Sequence, residues 1–377
     1  MLHGVNDAYT AFLPPLLPRI MGKLDLSITL AATLMMTLSL AASLAQPALG
    51  HLADRFGRRT LVVAGPILSG VFLSCMGLAP SFAILMALLV AGGLGSAAFH
   101  PPGASIAVRA GEGRGSGMRH AVFSFGGAVG LAVGPVAAVG LVAWVGLEGM
   151  WVAMVPAILI AVAFWPLLPS GTPRALGAPS PSIRRLPELL VGPVGLVFAI
   201  SAASAFLQRL FLTMEPIVIA EAGGTEAAGA VVLSVYLAGQ AGGTLLGGFL
   251  ADRIDRRWLI AGLAALSFPA HVGAIALAGG GATTLAFAAA AGLVNQAILT
   301  PVVVIALEVA GESAAMGGGV VMGLAWAAGS IGVLGAGILG DAVGARPAAL
   351  ALTPVILAAC WLALRPGLRE HHRPPAT

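Results

Sequence analysis

The residues best suited to chemistry in this 377-residue chain are polar groups set inside long apolar runs. His3 and Asp7 are four positions apart, so on a helix they share one face. His100 stands at Phe99-His100-Pro101-Pro102, and Arg209 and the adjacent pair Asn295 and Gln296 interrupt apolar stretches further on. An ionised side chain at bilayer depth costs about 2.5–3.5 kcal/mol, so each charge needs a partner or a wet cavity. A carboxyl held between burial and a neighbouring cation can be tuned to load and release a proton. Asp7 is placed for that work, with His100 expected at similar depth. The plain alternative is that Asp7 only orients its helix and His100 only makes a structural hydrogen bond. Arg209 keeps its charge and can grip an anion or balance Asp7. Its competing use is a fixed ion pair with Glu215, although the two do not share a helical face.

A second set of charges suits a different task. The segment Gly50-His-Leu-Ala-Asp-Arg-Phe-Gly-Arg-Arg59 recurs as Gly248-Phe-Leu-Ala-Asp-Arg-Ile-Asp-Arg-Arg257. An acid at a helix end can hold a neighbouring helix terminus or arginine in one state and release it in another. Asp54, Arg55, Arg58 and Arg59, and Asp252, Arg253 and Arg256, are thus candidates for a conformational latch. Asp255 stands where the first copy has Gly57, which predicts a looser second turn. Other patterns carry no chemistry. Gly111-Glu-Gly-Arg-Gly-Ser-Gly117 lacks the Lys-Ser/Thr ending of a phosphate cradle. Cys75 and Cys360 stand alone in separate apolar runs, and His120, His271, His371 and His372 form no ligand set. No metal, cofactor or nucleophile–base arrangement is expected, which argues against an enzyme.

The elements that must position these groups follow from composition. Hydrophobic residues make up 58% and charged residues 9% of the chain, with a mean hydropathy of +0.98. A soluble domain carries about 25% charged residues, so lipid is the solvent for most of this chain. No Asp, Glu, Lys or Arg falls between Arg59 and Arg109, or between Arg257 and Glu308. A span needs roughly 20 apolar residues, so each interval holds a two-helix hairpin, turning at Ala79-Pro80-Ser81 and at Gly279-Gly280-Gly281. The expected spans are roughly 2–21, 26–50, 60–79, 82–108, 118–145 and 149–169, then 189–220, 227–251, 258–279, 283–307, 316–340 and 346–365. The Pro- and Ser-rich stretch 170–188 reads as a cytoplasmic linker, giving an N-terminal bundle over 1–169, a C-terminal bundle over 189–365 and a cytoplasmic tail over 366–377.

Orientation is readable from the nineteen Lys and Arg residues. With both termini cytoplasmic, only Arg19, Lys23 and Arg346 fall outside and Arg209 falls within a span; the rest are inside. That bias satisfies the positive-inside rule and explains a sequence pI near 9.8 without nucleic acid. The halves also repeat: Gly92 and Pro101 recur as Gly292 and Pro301, and Ala110-Gly111-Glu112 as Ala310-Gly311-Glu312. Internal repeats of six helices are a signature of secondary transporters, whose site lies where the repeats meet.

At these motifs the chain resembles the major facilitator superfamily over nearly its whole length. The loop signature of that family is matched at Gly50, Leu52, Ala53, Asp54, Arg55, Gly57, Arg58 and Arg59. Gly130-x-x-x-Gly134-Pro135 is similar to the antiporter motif of drug/proton exchangers, with Ala138 and Val139 where that motif has a glycine pair. Residues 3–18 and 98–105 resemble the fosmidomycin-resistance branch, with Pro102 where that branch often has Glu. The resemblance implies an all-α membrane protein of twelve transmembrane helices in two pseudo-symmetric six-helix bundles. It implies a cavity lined by the first, fourth, seventh and tenth spans, which places Asp7 and His100 as proton-coupling residues and His3, Arg209, Asn295 and Gln296 as substrate contacts. The expected function is proton-coupled efflux of a drug or small metabolite, by a monomer in a bacterial-type inner membrane. Uptake of a small solute, anions included, with protons is the alternative.

Overall fold

Pro14 and Pro15 break the first apolar run into two helices. Each lacks a backbone N–H, and its ring collides with the carbonyl four residues back, here those of Thr10 and Ala11. The computed structural model accordingly has α1 over Leu2–Thr10 and α2 over Leu13–Leu24. Between them Ala11 N–H points to the Asp7 and Ala8 carbonyls, and Phe12 N–H to that of Tyr9. The single span expected over 2–21 is therefore corrected to two short helices. α2 carries Pro14 and Pro15 in its first turn, where no N–H is needed, has Pro18 further inside, and ends on Asp25 in the left-handed region (φ 53°).

The structure describes residues 1–109, 116–169, 190, 192–310 and 320–371, and not the side chain of Asp54. The expected linker over 170–188, residues 111–115 of the glycine-rich segment, the repeated Gly311-Glu312 and the end of the tail lie outside the described residues. Two units are distinguishable: Met1–Leu26 with Thr33–Ala178, and Ser27–Ala32 with Pro179–Thr377.

In the first unit, α3 (Ile28–Leu44, counted with this unit from Thr33 onward), α4 (Gln46–Phe56) and α5 (Arg58–Ser74) follow α2, with Gly57 at φ 96° joining α4 to α5. Then come α6 (Phe82–Arg109), α7 (Ser116–Gly149) and α8 (Met154–Phe164). α7 turns at Gly146 (φ 76°), so the 50-residue apolar stretch Met118–Leu167 holds two crossings rather than one. In the second unit, α9 (Pro193–Glu221), α10 (Glu226–Ala251), α11 (Arg256–Ala276), α12 (Ala282–Ala297) and α13 (Leu299–Ala310) precede α14 (Ala325–Val343), α15 (Ala345–Leu352) and α16 (Val355–Ala363). The expected spans at 283–307 and 346–365 are each broken once. Among the described residues, ten helical stretches are long and apolar enough to cross a membrane; with α7–α8 counted as two and α1–α2 as one, twelve crossings are accounted for.

Glycine sets a close helix–helix contact in the first unit. Gly126, Gly130 and Gly134 recur every four residues along α7 and so share one face. A side chain added at Gly130 would strike the Gly4 carbonyl of α1, and one at Gly134 would sit 2.5 Å from that of Ala8. With little apolar driving force between helices in lipid, small residues that let backbones approach carry the packing. The glycine motif thereby lays α1 along α7. Leu2, Val62, Val63, Phe99 and Ala161 close an apolar core beside α1, while Trp144, Leu159, Leu245 and Ile338 are exposed on outer faces, as lipid-facing residues must be.

Candidate functional site

Three helices of the first unit converge on Asp7. On α1, His3 and Asp7 stack one turn apart as their spacing requires, with His3 Nε2 3.1 Å from Asp7 Oδ2. From α6, His100 Nε2 lies 3.3 Å from Asp7 Oδ1. From α7 comes the Phe123 carbonyl, 2.7 Å from His3 Nδ1, and the Phe123 ring stacks on His3 at 4.1 Å. His100 Nδ1 meets the Ser96 carbonyl one turn back at 2.8 Å. The site exists because α7 approaches so closely: a Cβ at Gly127 would lie 2.5 Å from the His3 ring and 2.7 Å from Asp7 Oδ2.

Sequence reading missed the residues that hold the acid in place. Asn6 Nδ2 donates to Asp7 Oδ1 at 3.0 Å and lies 3.1 Å from Ser96 Oγ. Ser69 Oγ of α5 lies 3.1 Å from Asn6 Oδ1 and 3.0 Å from the Gly92 carbonyl, two acceptors for its one hydrogen. Asn6 and Ser69 are both fully buried, so these bonds satisfy groups that would otherwise be costly. The Ser96–His100 spacing was a visible signal; nothing in the sequence linked Asn6 to Ser69. Asp7 is buried with a side chain 9% exposed, His3 has 11% and His100 has 29%, making His100 the most open member. His3, Asp7 and His100 are also the one trio of metal-ligand types among the described residues whose donor atoms lie within 4.8 Å of one another.

The second unit holds the other expected groups, less tightly gathered. Arg209 sits 5.3 Å over the Trp326 ring, within cation–π range. Its Nε and both carboxylate oxygens of the buried Glu215 lack hydrogen-bond partners among the described residues, so the alternative Arg209–Glu215 pair is not formed. Asn295 is buried and tied to α9, donating to the Ser204 carbonyl and accepting from Ser204 Oγ, each at 3.1 Å. Gln296, its neighbour, is half-buried and faces α10, where a Cβ at Gly243 would lie 3.1 Å away. Gln208 bonds to Gln240 at 3.0 Å, and Tyr236 to His271 at 3.3 Å.

Among the latch candidates, Asp54 lies outside the described side chains. Arg59 donates to the Trp165 carbonyl and its guanidinium lies 4.3 Å over that ring. Asp252 and Arg253 are exposed, and Arg253 folds over Phe249 at 3.7 Å. Arg256 is buried and donates to both Glu308 oxygens at 2.7 Å. The second turn is the wider one: residues 252–255 separate α10 from α11, where Gly57 alone joins α4 to α5, and Asp255 caps α11, accepting the Arg257 N–H at 2.9 Å.

The geometry is that of a helical carrier, and comparison with known proteins names the family. Residues 2–207 match the Major Facilitator Superfamily. The chain belongs to that superfamily. An uncharacterised MFS-type transporter of Bacillus subtilis, YfnC, is 29% identical over 98% of this chain and 93% of its own length. The fosmidomycin resistance protein of Escherichia coli is 24% identical over 69% of this chain and 65% of its own. Solved structures share the fold: a bacterial homologue of the human lysosomal transporter Spinster (TM-score 0.81, 17% identity, 100% of this chain and 97% of that one) and the nucleoside transporter NupG (0.80, 11%, 96% and 97%). The D-xylose–proton symporter follows at a TM-score of 0.71, with 14% identity over 96% and 95%. This major facilitator protein is therefore a multi-pass secondary active transporter of a small molecule.

Proposed function

We propose that this transporter exports a drug or small metabolite in exchange for protons, with Asp7 and His100 as the coupling pair. The observation that carries this is a buried carboxyl held between two imidazoles, the only side chains whose unperturbed titration falls in the physiological range. The guanidinium of Arg209, with Asn295 and Gln296, supplies the polar contacts for solute. Asp54 and Asp252, with their arginines, govern interconversion between states. The protein works as a monomer in a bacterial inner membrane with both termini cytoplasmic.

The glycine motif of α7 and the likeness of residues 3–18 and 98–105 to the fosmidomycin-resistance branch support efflux. One observation favours the second reading, uptake with protons. Arg209 has no carboxylate hydrogen-bonded at Nε, and an unneutralised cation in a span suits an anionic solute. A growth-inhibition screen of an overexpressing strain, phosphonates included, identifies the solute, and everted vesicles separate the readings. An exchanger accumulates solute in an acidic lumen, whereas a symporter empties it.

A further inference from the structure

Hydrogen positions in the Asp7 cluster can be deduced from what its atoms are able to donate. A neutral imidazole carries one N–H, and a peptide carbonyl only accepts. His3 Nδ1 faces the Phe123 carbonyl and His100 Nδ1 faces that of Ser96, so in both rings the hydrogen of the neutral form sits on Nδ1. Nε2 is then a bare lone pair. Yet both Nε2 atoms face the Asp7 carboxylate, which when ionised also only accepts. With two neutral rings and an ionised acid, each contact would set lone pair against lone pair. Each becomes a hydrogen bond only when a hydrogen enters it, and the two contacts use different nitrogens and different oxygens.

We infer that the cluster binds two protons, with His3 Nε2 and His100 Nε2 as separate acceptors on either side of Asp7. This rests on the reading above that the cluster is the coupling site, and it moves His3 from the solute contacts to the proton carriers. The empty cluster carries a charge of −1, the half-loaded one 0 and the full one +1. On loading, an N–H bond forms at each Nε2 at the expense of a hydronium ion in the cavity; on unloading, water on the other side takes the proton back. His100, the more exposed ring, exchanges with the cavity, and His3 is reached through Asp7. The packed elements add little that competes. α6 and α5 offer Ser96 and Ser69, α7 offers the Phe123 carbonyl and Gly127, and the His120 ring on α7 lies 6.3 Å from that of Phe123. Tyr9 on α1 points to the Ala153 carbonyl.

Nitrogen-15 NMR of histidine-labelled protein in lipid bilayers tests this, because a bare nitrogen and an N–H nitrogen resonate far apart. Loss of a signal in His3→Gln or His100→Gln assigns each ring. Should His3→Gln not fold, dipolar coupling to a carbon-13 carbonyl at Phe123 assigns His3 in the wild type. Between about pH 9 and about pH 5, bracketing the unperturbed imidazole, both rings should lose the bare Nε2 signal and gain N–H, and Asp7→Asn should move both transitions. If one ring titrates and the other keeps a bare Nε2, the two-proton inference is overturned while proton coupling stands. If neither titrates, both fall. If stoichiometric Zn²⁺ added as a probe shifts both Nε2 signals and no pH transition remains without it, the cluster is a metal site and the inference is wrong.

Discussion

His100 is the most exposed member of the cluster, and its loss separates two roles. His100→Gln keeps a polar group beside Asp7 but cannot take a proton. Because interacting sites titrate as a set, the pH dependence of transport should move in this variant while solute affinity stays within a few-fold. A structural role alone would lower stability and leave the pH profile in place. Arg209→Ala should impair transport most for an anionic solute, since it removes the fixed cation over Trp326; equilibrium binding of the solute to the purified variant checks this. The His3–Asp7 pairing was legible from a four-residue spacing. The arrival of His100 was legible only through family resemblance, because it comes from another helix. The support from Asn6, Ser69 and Ser96 was not legible, since small polar residues in an apolar helix look alike whether they bond across helices or to their own backbone. Asn295 shows the same limit: its hydrogen bonds to Ser204 could not be read from the sequence.

At the scale of the helix, the glycines of α7 decide whether the cluster forms. Gly130→Ala pushes a methyl into the Gly4 carbonyl, a backbone atom that cannot step aside. Overpacking of this kind costs about 1–3 kcal/mol and should lower the melting temperature in detergent as well as proton-driven transport. Gly140, on the same helix, has open space within 4 Å of where a Cβ would stand, so Gly140→Ala is the control and should be neutral or slightly stabilising. Asp255→Ala should cost about 1 kcal/mol through the lost cap on α11, read in the same melting assay. Helix existence was plain in the sequence because charge-free runs of this length have few other fates. Where helices break was harder to see. Pro14 and Pro15 interrupt a first span that read as continuous, whereas Pro101, Pro102, Pro135 and Pro216 sit inside helices that continue. Neighbouring helices and cavities can absorb a missing backbone bond, and that depends on tertiary contacts.

At the scale of the whole transporter, stoichiometry sets the attainable gradient. Exchange of one proton for a neutral solute moves one charge, worth about 2.3 kcal/mol at 100 mV, or roughly a 50-fold gradient at ~1.4 kcal/mol per decade. Two protons square that, to roughly 2,500-fold. Asp54→Asn should slow interconversion between states, lowering turnover with affinity little changed; loss of affinity at unchanged turnover would remove it from the latch. The central claim is that the Asp7 cluster ties proton movement to solute movement, and Asp7→Asn in reconstituted vesicles tests it most directly. With an acidic, positive lumen and the exchanger inside out, wild type should accumulate the solute found by the growth screen and release it when the gradient is collapsed. Asp7→Asn should lose that accumulation yet still equilibrate labelled solute across the membrane. Accumulation by Asp7→Asn equal to wild type would contradict the account.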